Sequence, residues 1–180
     1  MDKAEVRKRM RALKAAVPPE EKLRRSRIIM QRLGCSPDFV TAQVALLYWS
    51  MADEVQTHEF VNQQYSTKTL LLPCVQGDDL VLRQYTGPDC MVSGEQFGIG
   101  EPTGPVWTDM EAIQLIAVPG VAFDLDGNRM GRGRGFYDRL LKSTPKATKI
   151  GIAFDFQMLD HIPTEPHDVR MDRVLTDAEN

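Results

Sequence analysis

Between Gly127 and Gly135 the chain reads GNRMGRGRG, four glycines interleaved with Arg129, Arg132 and Arg134, and it continues at once into FYDRLLK. Bare backbone beside fixed positive charge suits an anion. Glycines at 131, 133 and 135 remove side chains that would keep a ligand off the peptide N–H groups, and guanidinium groups grip phosphate or carboxylate oxygens two at a time. A helix opening at Phe136 would turn its positive end toward the same place.

Two common nucleotide cradles are excluded by spacing. The dinucleotide fingerprint needs G-x-G-x-x-G directly after a strand, whereas here G-x-G-x-G begins well after the apolar run that ends at Pro119. The Gly-Lys-Ser or Gly-Lys-Thr of a Walker loop does not occur. DLDGNR imitates the start of a calcium loop through Asp124, Asp126 and Asn128, but Arg129 and Gly135 occupy positions six and twelve. A tight turn is the expectation there.

A second concentration of positive charge lies at the start of the chain. Lys3, Arg7, Arg11 and Lys14 form a stripe beside the apolar stripe Val6, Met10, Leu13 and Val17, which predicts a helix over 3–16. Pro18 and Pro19 break it, and Glu20 and Glu21 open a second helix that runs to about Leu33.

The elements that must position these charges follow from hydrophobic patterning. QVALLYWS and TLLLPCV are short continuous apolar runs, the signature of strands buried on both faces. EVQTHEFVNQQY between them places Val55, Phe60 and Val61 for a crossover helix. DLVLRQY, IQLIAVPG and TKIGIAFD add strands, and Phe136 to Lys142 a helix. The reading is an α/β fold, one domain with a mostly parallel sheet flanked by helices. The glycine and arginine loop then lies between a buried strand and a helix, where open α/β sheets place their ligands. Residues 86–110, rich in glycine and proline, predict a long surface excursion.

Composition narrows the partners. The 180 residues suit one core, and a net charge of −3 gives no general attraction to nucleic acid or membrane. The charged N-terminus lacks the apolar core of a secretory signal and no run approaches a membrane span, so a cytoplasmic protein is expected. Cys35, Cys74 and Cys90 are odd in number and widely spaced, which predicts reduced thiols. The scattered histidines His58, His161 and His167 are expected to be exposed or locally hydrogen-bonded.

PGVAFDLDGNRMGRGRGFYDRLL closely resembles the signature of the 5-formyltetrahydrofolate cyclo-ligase (methenyltetrahydrofolate synthetase) family. The likeness extends to KAEVR, YWSMADEVQT, FGIGEP and IPTEPHDVRMDRVLT, in that order along the chain. The resemblance implies one cyclo-ligase domain over 1–180 with a Rossmann-like three-layer fold, similar to the sugar-phosphate isomerase and CoA-transferase-like folds. It further implies a cytoplasmic monomer that converts 5-formyltetrahydrofolate to 5,10-methenyltetrahydrofolate with ATP as co-substrate and Mg2+ as cofactor. In the mechanism that the resemblance implies, the formyl oxygen takes the γ-phosphate, and N10 then closes the ring.

Carried onto this chain, the family's ATP contacts fall on Lys3, Arg7 and the loop Arg129, Met130, Gly131, Arg132, Gly133, Arg134, Gly135, Phe136 and Tyr137. Its folate contacts fall on Trp49, Glu54 and the segment from Arg132 through Phe136. Its metal ligands fall on Asp138 and Asp172, and Arg132, Arg134 and Tyr137 stand nearest the chemistry. An alternative is a folate-binding or folate-buffering protein that has kept the pocket without turnover.

Overall fold

The computed structural model describes residues 1–93 and 100–179. The chain opens with helix α1 (Lys3–Ala15), whose start is fixed by a reciprocal cap. Asp2 accepts from the Glu5 N–H, and the Glu5 carboxylate accepts from the Asp2 N–H, at 2.8 and 2.9 Å. Helices α2 (Pro19–Cys35) and α3 (Pro37–Thr41) follow, each with proline in its first turn, where a missing N–H costs nothing.

The next unit is β1 (Val44–Leu46), α4 (His58–Gln64) and β2 (Thr69–Gln76). The two strands pair in parallel, Ala45 opposite Leu70, as a crossover helix between buried strands requires. The strand takes up less of the QVALLYWS run than its hydrophobicity suggested: Leu47 still donates to the Leu71 carbonyl of β2, and Tyr48 to Ser50 continue beyond the sheet as a mostly buried segment. Val55 is buried ahead of α4 rather than within it.

Strand β3 (Asp79–Gln84) turns back antiparallel on β2. The 86–110 excursion carries order: β4 (Met91–Ser93) pairs with β5 (Gly100–Pro102), and β6 (Val106–Trp107) adds to the edge of β3. Phe97, Gly98 and Ile99 of FGIGEP lie outside the described residues. The chain continues through β7 (Leu115–Pro119), β8 (Ala122–Asp124), β9 (Arg129–Met130), α5 (Phe136–Lys142), β10 (Thr148–Ile152), β11 (Met158–Leu159) and β12 (Arg173–Leu175).

Among the described residues, the main sheet runs β12-β10-β7-β1-β2-β3-β6. Its five strands from β12 to β2 are parallel, and β8, β9 and β11 make a small second sheet. Alternation along the strands explains the three layers. Ala45, Leu70, Leu72, Leu115 and Ala117 point to one face, against Ile29 and Leu33 of α2 and Phe60 and Val61 of α4. Leu46, Leu71, Ile116 and Val118 point to the other, against Leu140 and Leu141 of α5 and Phe123 of β8. Both faces are covered, so the strands read as unbroken apolar runs.

Phe123 is wholly buried against Gly151 of β10, where a Cβ would stand 2.6 Å from the ring. Only glycine lets that strand and ring approach so closely. Helix α1 packs through Val6 and Met10 on Val121, Ala122, Met130 and Ile162. Its stripes differ from expectation. Lys14 is buried and Arg11 exposed, because positions 6, 10 and 14 line up one turn apart and turn toward the protein. No helix among the described residues is long and apolar enough to cross a membrane.

Candidate active site

Where β1 and β7 end, their chains open into a cavity of about 700 Å³. Its walls come from parts of the chain far apart in sequence: α1, the segment after β1, the glycine and arginine loop, and the turn before β12. This is the carboxyl edge of the parallel strands, the usual ligand position in such sheets.

The loop wall is built from Arg129 through Asp138. The Arg129 side chain is buried and donates from Nε to the Pro119 carbonyl at 2.7 Å, which ties the loop to the end of β7. Burial pulls its pKa below the ordinary guanidinium value, and Asp138, whose Oδ1 lies 3.9 Å from Nη1, pulls it back up. Gly133 has φ +103°, a conformation that residues with a Cβ rarely adopt, and Gly135 at φ +72° caps α5. Arg134 stacks over Phe136 at 5.5 Å from the ring centre, and Arg129 over Tyr137 at 5.2 Å. Burial pushes the Tyr137 phenol well above its ordinary pKa, so it stays a hydrogen-bond donor.

Helix α1 supplies Lys3 and Arg7 to the same cavity. Arg7 donates from Nε to the Gly131 carbonyl at 3.1 Å, joining the two basic segments that the sequence holds more than a hundred residues apart. Lys3 pairs with Glu165 at 3.3 Å.

A second wall, from the segment after β1, carries Trp49 and Glu54, and Glu54 Oε2 lies 3.9 Å from Arg132 Nη2 of the loop. Their segment is clamped at its base: the Thr57 N–H donates to Ser50 Oγ, the Ser50 N–H donates to Thr57 Oγ1, and Tyr48 Oη donates to the Val55 carbonyl. His58 stacks on Trp49 with ring centres 3.7 Å apart and 11° between planes. Its Nε2 lies 2.9 Å from the Ser50 carbonyl, an acceptor, so that nitrogen carries hydrogen. Glu54 accepts from the Met51 N–H at 2.9 Å, and burial pushes its carboxyl above the usual range. A largely buried carboxyl with a raised pKa, sharing a cavity with Trp49, is suited to hydrogen bonding at a polar ring edge.

The structure thus gathers Lys3, Arg7, Trp49, Glu54 and every residue from Arg129 to Asp138 around one cavity. Asp172 is placed elsewhere. It is exposed at the amino edge of the sheet, its carboxylate accepting from the Lys149 N–H at 2.7 Å and its own N–H donating to the Lys149 carbonyl. The aspartate of HDVRMD that reaches the cavity is Asp168, with Glu165 and His167 beside it. His167 Nε2 lies 3.1 Å from Glu165 and 3.5 Å from Asp168. Glu101 of FGIGEP also lines the cavity and accepts from the Val75 N–H. The signal that separates the two aspartates is the strand: Asp172 directly precedes β12, where its backbone is committed to pairing.

Carboxylates from Asp138 and Asp168, both acting on the buried Arg129, offer hard oxygen donors within a basic cavity. That donor set fits magnesium, which takes one or two carboxylates together with water and phosphate oxygens. Of the cysteines, Cys35 is exposed and Cys74 and Cys90 are buried free thiols, with burial pushing Cys74 up to about 11.

Comparison with known proteins bears on the same chain. The profile of the 5-formyltetrahydrofolate cyclo-ligase family matches residues 1–177. A mouse 5-formyltetrahydrofolate cyclo-ligase is 30% identical over 187 residues, covering 96% of this chain and 90% of its own. The solution structure of Aquifex aeolicus 5,10-methenyltetrahydrofolate synthetase superposes with a TM-score of 0.88 at 36% identity, covering 99% of this chain and 91% of its own. A Mycoplasma pneumoniae 5,10-methenyltetrahydrofolate synthetase gives 0.78 at 25% identity, covering 99% and 100%.

Proposed function

The chain belongs to the 5-formyltetrahydrofolate cyclo-ligase family, and from that premise we propose that its cavity binds ATP and 5-formyltetrahydrofolate together and closes the folate ring at the expense of ATP. The observation that carries this reading is the meeting of two unlike walls in one cavity. One is a cationic cradle from α1 and the loop; the other is an aromatic and carboxyl surface at Trp49 and Glu54.

The chemistry asks for little beyond positioning and charge. The formyl oxygen attacks the γ-phosphorus and ADP leaves, which turns a poor leaving oxygen into phosphate. N10 then attacks the formyl carbon, phosphate departs, and N10 loses its proton. Lys3, Arg7 and Arg129 hold the triphosphate, with the N–H groups around Gly131 and Gly133 open to it. Arg132 and Arg134 stand at the junction and neutralise charge on the transferring group. The Tyr137 phenol, kept protonated by burial, donates a hydrogen bond into the same space.

Trp49 and Phe136 give the pterin an apolar wall, and Glu54 holds its nitrogen-rich edge. Asp138 and Asp168 would hold magnesium, in place of the Asp138 and Asp172 pair that the resemblance implied. Bound there, the ion would neutralise charge on the triphosphate oxygens.

The test is an omission series read at the methenyl product's near-ultraviolet absorbance. Product should form only when ATP, magnesium and 5-formyltetrahydrofolate are all present. Tight folate binding with no ADP release would instead support the silent binding protein.

A further inference from the structure

Positions 6, 10 and 14 of α1 form one inward stripe. Val6 and Met10 meet an apolar cluster there, but the third position carries an ammonium. The Lys14 side chain is 6% exposed, and burial pulls its pKa down. Its ion-pair partner among the described residues is Asp53, with Nζ 3.8 Å from Oδ2. Asp53 also receives Arg132, whose Nη2 donates to Oδ1 at 3.1 Å and Oδ2 at 3.2 Å. The same Nη2 stands 3.9 Å from Glu54 Oε2.

Arg132 and Glu54 line the cavity, whereas Lys14 and the half-exposed Asp53 do not. The Asp53 carboxylate takes no part in its own turn. The Glu54 N–H donates to the Met51 carbonyl, the Glu54 side chain closes on the Met51 N–H, and Gln56 Nε2 donates to the Met51 and Glu54 carbonyls. A buried lysine is also a poor choice for stability, since an apolar group of similar size would fit without loss of hydration. Both side chains therefore act on something else, and the group within reach is Arg132.

We propose that Asp53, anchored by Lys14, is a positioning residue that holds the Arg132 guanidinium at the junction of the two walls, so that the Glu54 carboxyl is left to the ligand. The inference rests on the reading of the cavity given above. Without Asp53, Arg132 has Glu54 as its nearest carboxylate, and the resulting ion pair competes with the substrate.

In Asp53→Asn, kcat/KM for 5-formyltetrahydrofolate should fall about tenfold while KM for ATP changes less than about twofold. Lys14→Met should lower the same ratio by about threefold with a thermal midpoint equal to or above that of the wild type. The deciding step is the Arg132→Ala background, where Asp53→Asn should cost nothing further. An equal loss in both backgrounds would show that Asp53 does not act through Arg132 and would overturn the proposal. An independent readout uses protein carrying 15N-arginine. The Arg132 Nε–H signal, identified by its loss in Arg132→Ala, should shift and lose its restricted-rotation signature in Asp53→Asn. An unchanged signal refutes the inference even if the wild type shows no turnover, an outcome that would refute the functional reading by itself.

Discussion

Arg7→Met isolates the bridge between the two basic segments. Arg7 stands on α1, half-buried, with Nε donating to the Gly131 carbonyl and Nη2 3.5 Å from the position a Cβ would take at Gly133. Methionine keeps the unbranched body and the helix propensity while removing the charge. What is lost is one charge-assisted hydrogen bond of 3.1 Å, worth about 1.5–3 kcal/mol. At roughly 1.4 kcal/mol per factor of ten, that is about 10–150-fold. The loss should fall on kcat/KM for ATP, measured from initial rates of methenyl formation at saturating folate. KM for folate at saturating ATP should move less than about threefold, because the segment that carries Trp49 and Glu54 is held by its own hydrogen bonds and not by Arg7. Arg7→Lys should be intermediate, since an ammonium keeps the charge but not the planar fork. Unchanged ATP dependence would remove Arg7 from the triphosphate site. An equal loss for both substrates, in step with the unfolding midpoint, would make Arg7 a scaffold for the loop alone.

Further outcomes follow from other parts of the fold. Burial raises the Glu54 pKa, so between the ordinary value of 4.5 and the raised one the folded protein holds more protons than the unfolded chain. Its contribution to stability therefore falls as pH rises through that window. Glu54→Gln should raise the thermal midpoint near pH 7 relative to wild type and less so near pH 4, while folate binding weakens; a midpoint that drops at pH 7 contradicts this. Asp168→Asn should raise the magnesium requirement by at least about tenfold, whereas Asp172→Asn should leave it unchanged and lower only stability. A reversed result, read from magnesium titrations of the rate, would return the ligand to Asp172. Gly151→Ala forces a Cβ to 2.6 Å from Phe123 and should cost about 1–3 kcal/mol in denaturant unfolding. Combined with Phe123→Ala it should cost less than the sum of the two, because the new methyl enters the vacated space.

Much of the site could be read along the chain because its chemistry is local. GRGRG places glycines and arginines side by side, and neither residue type needs a partner from elsewhere to suggest an anion. The strands could be read for a similar reason: Leu70, Leu71 and Leu72 are apolar in succession only because helices cover both faces of β2. A residue's position is hidden from the sequence where it depends on a distant element. Asp168 and Asp172 look equivalent in HDVRMD, and only the pairing of β12 with β10 commits the second to Lys149. Lys14 belongs by pattern to a solvated basic stripe. Helical spacing turns it inward with Val6 and Met10, and its charge is matched there by Asp53, brought in by the segment after β1. The edge strands β4, β5 and β6 are too short to leave a period, so the excursion that carries them reads as loop.

If ATP and folate react directly with each other inside one cavity, an oxygen atom passes from the folate to the phosphate. With 18O in the formyl group of 5-formyltetrahydrofolate, each phosphate released with ADP should carry one labelled oxygen. Unlabelled phosphate, or methenyl product formed without phosphate release, would contradict it.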